Sequence, residues 1–76
     1  MMKSEKEKIV DLIREALDKP PPISIDGNAD QSKARLANQL IKSGYLDGAS
    51  AIGERGQVCR VSIRDVTIEG RQYSDQ

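Results

Sequence analysis

Few residues in this chain have the side-chain chemistry needed for catalysis or metal binding. The 76-residue sequence contains no histidine and one cysteine, Cys59. Acid-base and nucleophilic catalysis most often use a histidine beside a second reactive group, and structural zinc sites use cysteine and histidine. The sequence also lacks a glycine-rich phosphate loop and a paired-carboxylate motif. We therefore predict that the protein is not an enzyme and has neither a metal site nor a cofactor.

Other reactive groups in the chain are expected to have structural roles. Cys59 alternates with Val61 and Ile63 along a strand-like run, which predicts a small, buried and inert side chain. The carboxylates in loop and cap positions are expected to serve turns and helix starts. These carboxylates belong to Asp26, Asp30 and Asp47.

Cationic residues are the remaining candidates for function because their distribution is uneven. Over the whole chain, 12 Lys and Arg residues balance 12 Asp and Glu residues. Residues 31–64 contain six basic and two acidic residues, a net charge of +4, and the remainder has a net charge of −4. This asymmetry predicts one face that binds an anionic partner.

A helix and a hairpin within residues 31–64 would present these side chains to DNA. Arg reads guanine, Asn and Gln read adenine, and Lys binds phosphate. The candidates on the helix are Gln31, Arg35, Asn38, Gln39 and Lys42. Arg55, Arg60 and Arg64 of the hairpin would follow the DNA backbone. Two alternatives stay open: a solvated helix face has the same composition, and arginines on a strand also protect a sheet edge from aggregation.

Hydrophobic periodicity predicts two amphipathic helices that would form part of the core. The first occupies Glu5–Asp18, with Ser4 as its N-cap and a run of prolines that ends it. Its apolar face runs from Ile9 to Leu17. The second helix lies in DQSKARLANQLIKSG, follows a cap at Asn28 or Asp30, and ends at Gly44 in a left-handed conformation.

Alternating apolar residues predict three short strands. Ile23 and Ile25 alternate with polar residues in ISIDGN, which ends in a turn. From Ala49 the period changes to two, and residues 50–52 and 58–64 flank a loop bounded by glycines. The pattern predicts an antiparallel hairpin.

Near the C-terminus, Thr67 and the acidic residue Glu69 predict a short third helix. Thr67 is a good N-cap, and Val66, Ile68 and Tyr73 provide an apolar side. Gly70 costs a helix roughly 1 kcal/mol relative to alanine. We explain it by close packing of this turn against another helix, the first one.

The order helix, strand, helix, strand, strand, helix predicts an α+β fold, a single winged-helix-like domain over residues 1–76. The segments IVDLIREAL, PISIDG, ARLANQLIKSGYLDG and VTIEGRQY resemble, in this order, a family of short uncharacterised bacterial and phage proteins. The GYL corner, hairpin and T-x-E-G segment are similar to those of bacterial winged-helix regulators, in which the corner joins the recognition helix to the wing. The resemblance covers nearly the whole chain and implies no reaction. One departure is the extended PPPISIDGN, which stands where a helix-turn-helix has its second helix.

The leading functional hypothesis is a small winged-helix module that binds double-stranded DNA in a bacterial or prophage regulatory setting. The alternative is a protein-interaction or dimerisation module on the same scaffold that does not bind nucleic acid, with the first helix as the dimer contact. No apolar run reaches the roughly 18 residues of a membrane span, and the charged start MMKSEKEK does not resemble a secretory signal. The expected location is therefore the cytoplasm, without a membrane partner.

Overall fold

Three helices and a three-stranded antiparallel sheet form the part of the chain that the structure describes. A computed structural model describes residues 4–20 and 22–75. In chain order, the elements are α1 (Glu5–Asp18), β1 (Ile23–Asp26), α2 (Gln31–Lys42), β2 (Leu46–Ile52), β3 (Val58–Val66) and α3 (Ile68–Ser74). This order confirms the predicted α+β, winged-helix-like fold.

Strand β3 lies in the middle of the sheet, in the order β1-β3-β2. Residues Ile25 and Ser50 both stand opposite Val61, on either side of it. β2 begins earlier than the predicted start at Ala49, because Leu46 pairs with Val66 at the far end of β3. The hairpin is therefore longer than the alternation of side chains alone predicted.

Helices α1 and α2 contribute buried residues to a core on one face of the sheet, and Tyr73 of α3 packs against this core. Val61 and Ile63 of β3 are almost completely buried on this face. The helical residues of the same buried cluster are Leu12, Ile13, Ala34, Ala37 and Leu40. Since successive strand residues point to opposite faces, Arg60, Ser62 and Arg64 lie on the other face of the sheet.

The corner after α2 confirms the predicted C-terminal cap. Gly44 has a φ of 88°, in the left-handed region that favours glycine. The backbone N–H of Tyr45 donates to the Leu40 carbonyl at 2.9 Å, which turns the chain back onto the helix. At the other end of α2, Asp30 rather than Asn28 is the N-cap, and its Oδ1 accepts from the Lys33 amide at 3.0 Å.

α3 contacts α1 as predicted, but the close approach at Gly70 is to a different part of the chain. A Cβ on Gly70 would overlap the carbonyl oxygen of Tyr45 and lie 2.9 Å from Cγ1 of Val66. Thr67, which caps α3 as predicted, holds the helix in this place by donating from its hydroxyl to the Gly44 carbonyl at 2.6 Å. α3 therefore packs its glycine on the corner that follows α2.

Three apolar or sulfur-containing residues are more exposed than their patterns predicted. Ile68 is 72% exposed because the buried residues of α3 are Gly70 and Ser74, on the opposite side of that short helix. Leu17, near the end of α1, is 45% exposed. Cys59 is only partly buried, although it lies on the core side of β3.

Candidate nucleic-acid interface

The exposed side of α2 is a straight, acid-free stripe. Its members, Ser32, Arg35, Gln39 and Lys42, recur every three or four residues and are all exposed. At 1.5 Å per residue the stripe is about 15 Å long. The sequence of α2, QSKARLANQLIK, contains three basic residues and no acidic one. Asn38, a predicted contact, is half-buried beside the stripe.

Two of the basic residues in the +4 segment are paired with carboxylates. Nζ of Lys33 lies 2.8 Å from Oε2 of Glu15 on α1, and Nη2 of Arg64 lies 3.2 Å from Oδ1 of Asp47 on β2. Within residues 4–20 and 22–75, no ion pair involves the other four. These four are Arg35, Lys42, Arg55 and Arg60.

The hairpin between β2 and β3 presents Arg55 at its tip. The turn closes through a backbone bond from Gly56 to the Gly53 carbonyl at 3.0 Å, and Gly56 has a φ of 80°. The Arg55 amide donates to Oε1 of Gln57 at 3.1 Å, which orders the loop and leaves the exposed guanidinium outside it. The tip is therefore a defined loop with one unpaired cation.

Gln31, a predicted base contact, has its amide committed to the protein. Nε2 donates to the carbonyl oxygens of Gly27 at 3.0 Å and Val58 at 2.8 Å, and Oε1 accepts from the Val58 amide at 3.1 Å. Nε of Arg35 also donates to Oε1, at 3.2 Å. A base edge would have to replace these bonds, so Gln31 is structurally distinct from the exposed stripe.

The Gln31 bonds place the start of α2 next to the loop end of the hairpin. Val58 is the first residue of β3, directly after the hairpin loop. Arg35, one turn into α2, therefore lies at the same end of the protein as Arg55. Lys42 lies at the opposite end of the stripe, next to the Gly44 corner.

Arg60 and Arg64 are separated from this stripe by the sheet. α2 packs on the face formed by Val61 and Ile63, whereas both arginines are exposed on the other face. Opposite Arg60 and Ser62 in β2 are the small residues Ala51 and Ala49. The predicted contact residues therefore lie on two faces of the protein, whereas the sequence had predicted a single face.

A groove between α1 and α2 lies beside the stripe. Its volume is about 390 Å³, with Leu12 and Leu36 among the lining residues. Charges of both signs surround it, contributed by Lys8, Asp11, Glu15, Asp30 and Lys33. Mixed charge of this kind does not favour a ligand of one sign.

The described residues also lack other common functional features. They contain no group of three or more His, Cys, Asp or Glu residues placed to hold a metal ion. No helix within the described ranges has the length and apolar character needed to cross a membrane. In comparisons with known proteins, no family model, curated protein or solved structure matches this chain.

Proposed function

We propose that this protein binds double-stranded DNA through the exposed stripe of α2 and the tip of the β2–β3 hairpin. The observation that supports this proposal most directly is the stripe itself, a helix surface of cationic and amide side chains without a carboxylate. A helix fits the major groove of B-DNA, which is about 12 Å wide. In this arrangement Arg35 and Gln39 face base edges, and Lys42 and Arg55 bind phosphates.

The proposed interface is narrower than the full set of sequence candidates. Gln31 is left out because its amide bonds the backbone. Arg60 and Arg64 are left out because they lie on the other face of the sheet, and Arg64 is paired with Asp47. The resemblance to winged-helix regulators supports a regulatory role in a bacterium or prophage as part of the same proposal.

The proposal is tested by titrating a random-sequence duplex with protein and following fluorescence anisotropy at roughly 50 and 200 mM salt. Replacing Arg35 and Lys42 together with Ala is expected to weaken binding and to lower the slope of log K against log salt by about 1, because Lys42 is the phosphate contact of the pair. Arg60→Ala with Arg64→Ala is the matched control, because it removes the same charge from the opposite face. The slope of log K against log salt for that control should equal the wild-type slope within experimental error.

Two results would contradict this proposal. Equal weakening by both double variants would mean that binding depends on net charge rather than on the α2 stripe. No binding by the wild-type protein at roughly 50 mM salt would show that the protein does not bind duplex DNA, since electrostatic binding is strongest at low salt.

A protein-interaction or dimerisation module is the second candidate function. It is favoured by large apolar side chains outside the core, with Ile68 72% exposed, Ile52 52% and Leu17 45%. Exposed apolar surface is typical of protein contacts when it forms a patch. Absence of duplex binding, combined with a sedimentation mass that rises with protein concentration, would favour this function.

A further inference from the structure

We infer that Gln31 is a positioning residue that holds Arg35 and the hairpin in one arrangement, so that both contact a duplex as a single unit. This inference rests on the proposed duplex binding. It assigns to Gln31 a role other than direct contact with a base. The arguments for it are the bonds of its amide, the tight junction around it, and the orientation of Arg35.

The amide of Gln31 connects three separate parts of the chain. Its two N–H groups reach the carbonyl oxygens of Gly27 and Val58, and its oxygen accepts from Val58 N–H and from Nε of Arg35. Val58 lies 27 residues further along the chain and is only 4% exposed. One side chain therefore joins the end of β1, the start of β3 and the first turn of α2.

The junction around this amide has no spare room. A Cβ on Gly27 would overlap the carbonyl oxygen of Val58, so only glycine fits at this position. The Gly27 amide donates to the Cys59 carbonyl at 2.9 Å. These backbones are in contact, and the Gln31 bonds hold the start of α2 against the first residue of β3, next to the hairpin loop.

Gln31 also orients the side chain of Arg35. The bond to Oε1 uses only the Nε–H of the guanidinium, and Arg has five N–H donors in total. The two terminal nitrogens stay available for a phosphate or a guanine edge. A guanidinium already held in place loses less freedom on binding, which strengthens the complex.

The test is a set of affinity measurements on a random-sequence duplex at low salt, under conditions in which circular dichroism shows every variant to be folded. Gln31→Met keeps the size of the side chain and removes its hydrogen bonds. It is expected to weaken binding roughly 2- to 12-fold, the effect of freeing one immobilised side chain. Gln72→Ala is the matched control, an exposed glutamine on α3, and should leave affinity unchanged.

A background variant separates positioning from direct contact. When Arg35 and Arg55 are both Ala, Gln31→Met should have no further effect, because no cation remains for Gln31 to position. An undiminished effect in that background would overturn the inference, since it would show that Gln31 itself contacts DNA or acts only through stability.

Two measurements without DNA distinguish failure of this inference from failure of duplex binding. Gln31→Met should speed hydrogen exchange at the Val58 amide while leaving that of Val61, in the middle of the sheet, unchanged. It should also increase the motion of the Arg35 Nε–H in NMR relaxation. If neither changes, the positioning role is wrong, whether or not the wild-type protein binds a duplex.

Discussion

At the scale of single residues, two buried polar groups near the sheet differ in their hydrogen bonding. The amide of Gln31 makes four hydrogen bonds, whereas the hydroxyl of Ser50 in β2 is buried without a partner among the described residues. Ser50 stands opposite Val61, on the core side of the sheet. A buried hydroxyl without a hydrogen bond lowers stability.

Ser50→Ala is therefore expected to raise the free energy of unfolding by about 1 kcal/mol, the usual scale for removing an unsatisfied polar group. Urea unfolding followed by circular dichroism measures the change. Ser24→Ala, at an exposed position on β1, is the control and should stay within about 0.5 kcal/mol of wild type. A clear loss of stability in Ser50→Ala would show that the hydroxyl has a partner in solution.

At the scale of elements, one carboxylate connects α1 to α2. Oε1 of Glu15 lies 2.8 Å from Nζ of Lys19, and Oε2 lies 2.8 Å from Nζ of Lys33 on α2. Hydrogen bonds from Lys19 and then Lys33 hold the pKa of Glu15 below its usual value of 4.5. Glu15 also neutralises Lys33, so Lys33 does not add to the exposed charge of the α2 stripe.

The lowered pKa predicts a pH dependence of stability. Since the folded state favours ionised Glu15, its contribution is complete above the usual carboxyl pKa and is lost as the pH falls through the lowered folded pKa. Glu15→Gln should cost roughly 0.5 to 1 kcal/mol at pH 7, and the difference from wild type should be lost as the pH falls through the lowered pKa of Glu15. Urea unfolding of the wild-type protein and Glu15→Gln, from pH 7 to acidic pH, measures this difference.

The control for the pH prediction is Glu54→Gln in the hairpin loop. Glu54 forms no ion pair with the described residues, so its replacement should change stability little at any pH. A Glu15→Gln difference that stays constant down to low pH would contradict the assigned ion pairs.

At the scale of the whole molecule, stability depends on a small aliphatic core. The chain has no Phe or Trp, and the buried cluster consists of Leu, Ile, Val and Ala side chains. A domain of this size is expected to have a free energy of unfolding of about 4 to 11 kcal/mol. One large cavity in the core would therefore remove much of that stability.

Two isoleucines five residues apart provide a test of this dependence. Ile63→Ala, at a position 1% exposed, should cost about 2 to 5 kcal/mol. Ile68→Ala, at a position 72% exposed, should change stability by less than about 0.5 kcal/mol. Thermal unfolding of both variants measures the contrast, and a similar loss in both would place Ile68 in a contact with another molecule or copy.

The amino-acid sequence by itself determined the elements and most of their ends. The bounds of α1, the left-handed Gly44 and the Thr67 cap of α3 could all be predicted. Caps, proline stops and hydrophobic periodicity depend on residues within about four positions of one another, so their signals lie within each segment. The element order followed from them, and with it the fold class.

Only the tertiary structure decided how these elements meet and which side chains share a surface. Gln31 finds its partner 27 residues away, and Gly70 packs on the Tyr45 carbonyl rather than on α1. The sheet places Arg60 on the face opposite Arg35, although both belong to the same basic segment. The net charge of a segment does not determine which face of the protein its side chains occupy. The pleat of a strand and the packing of a helix assign each side chain to a face.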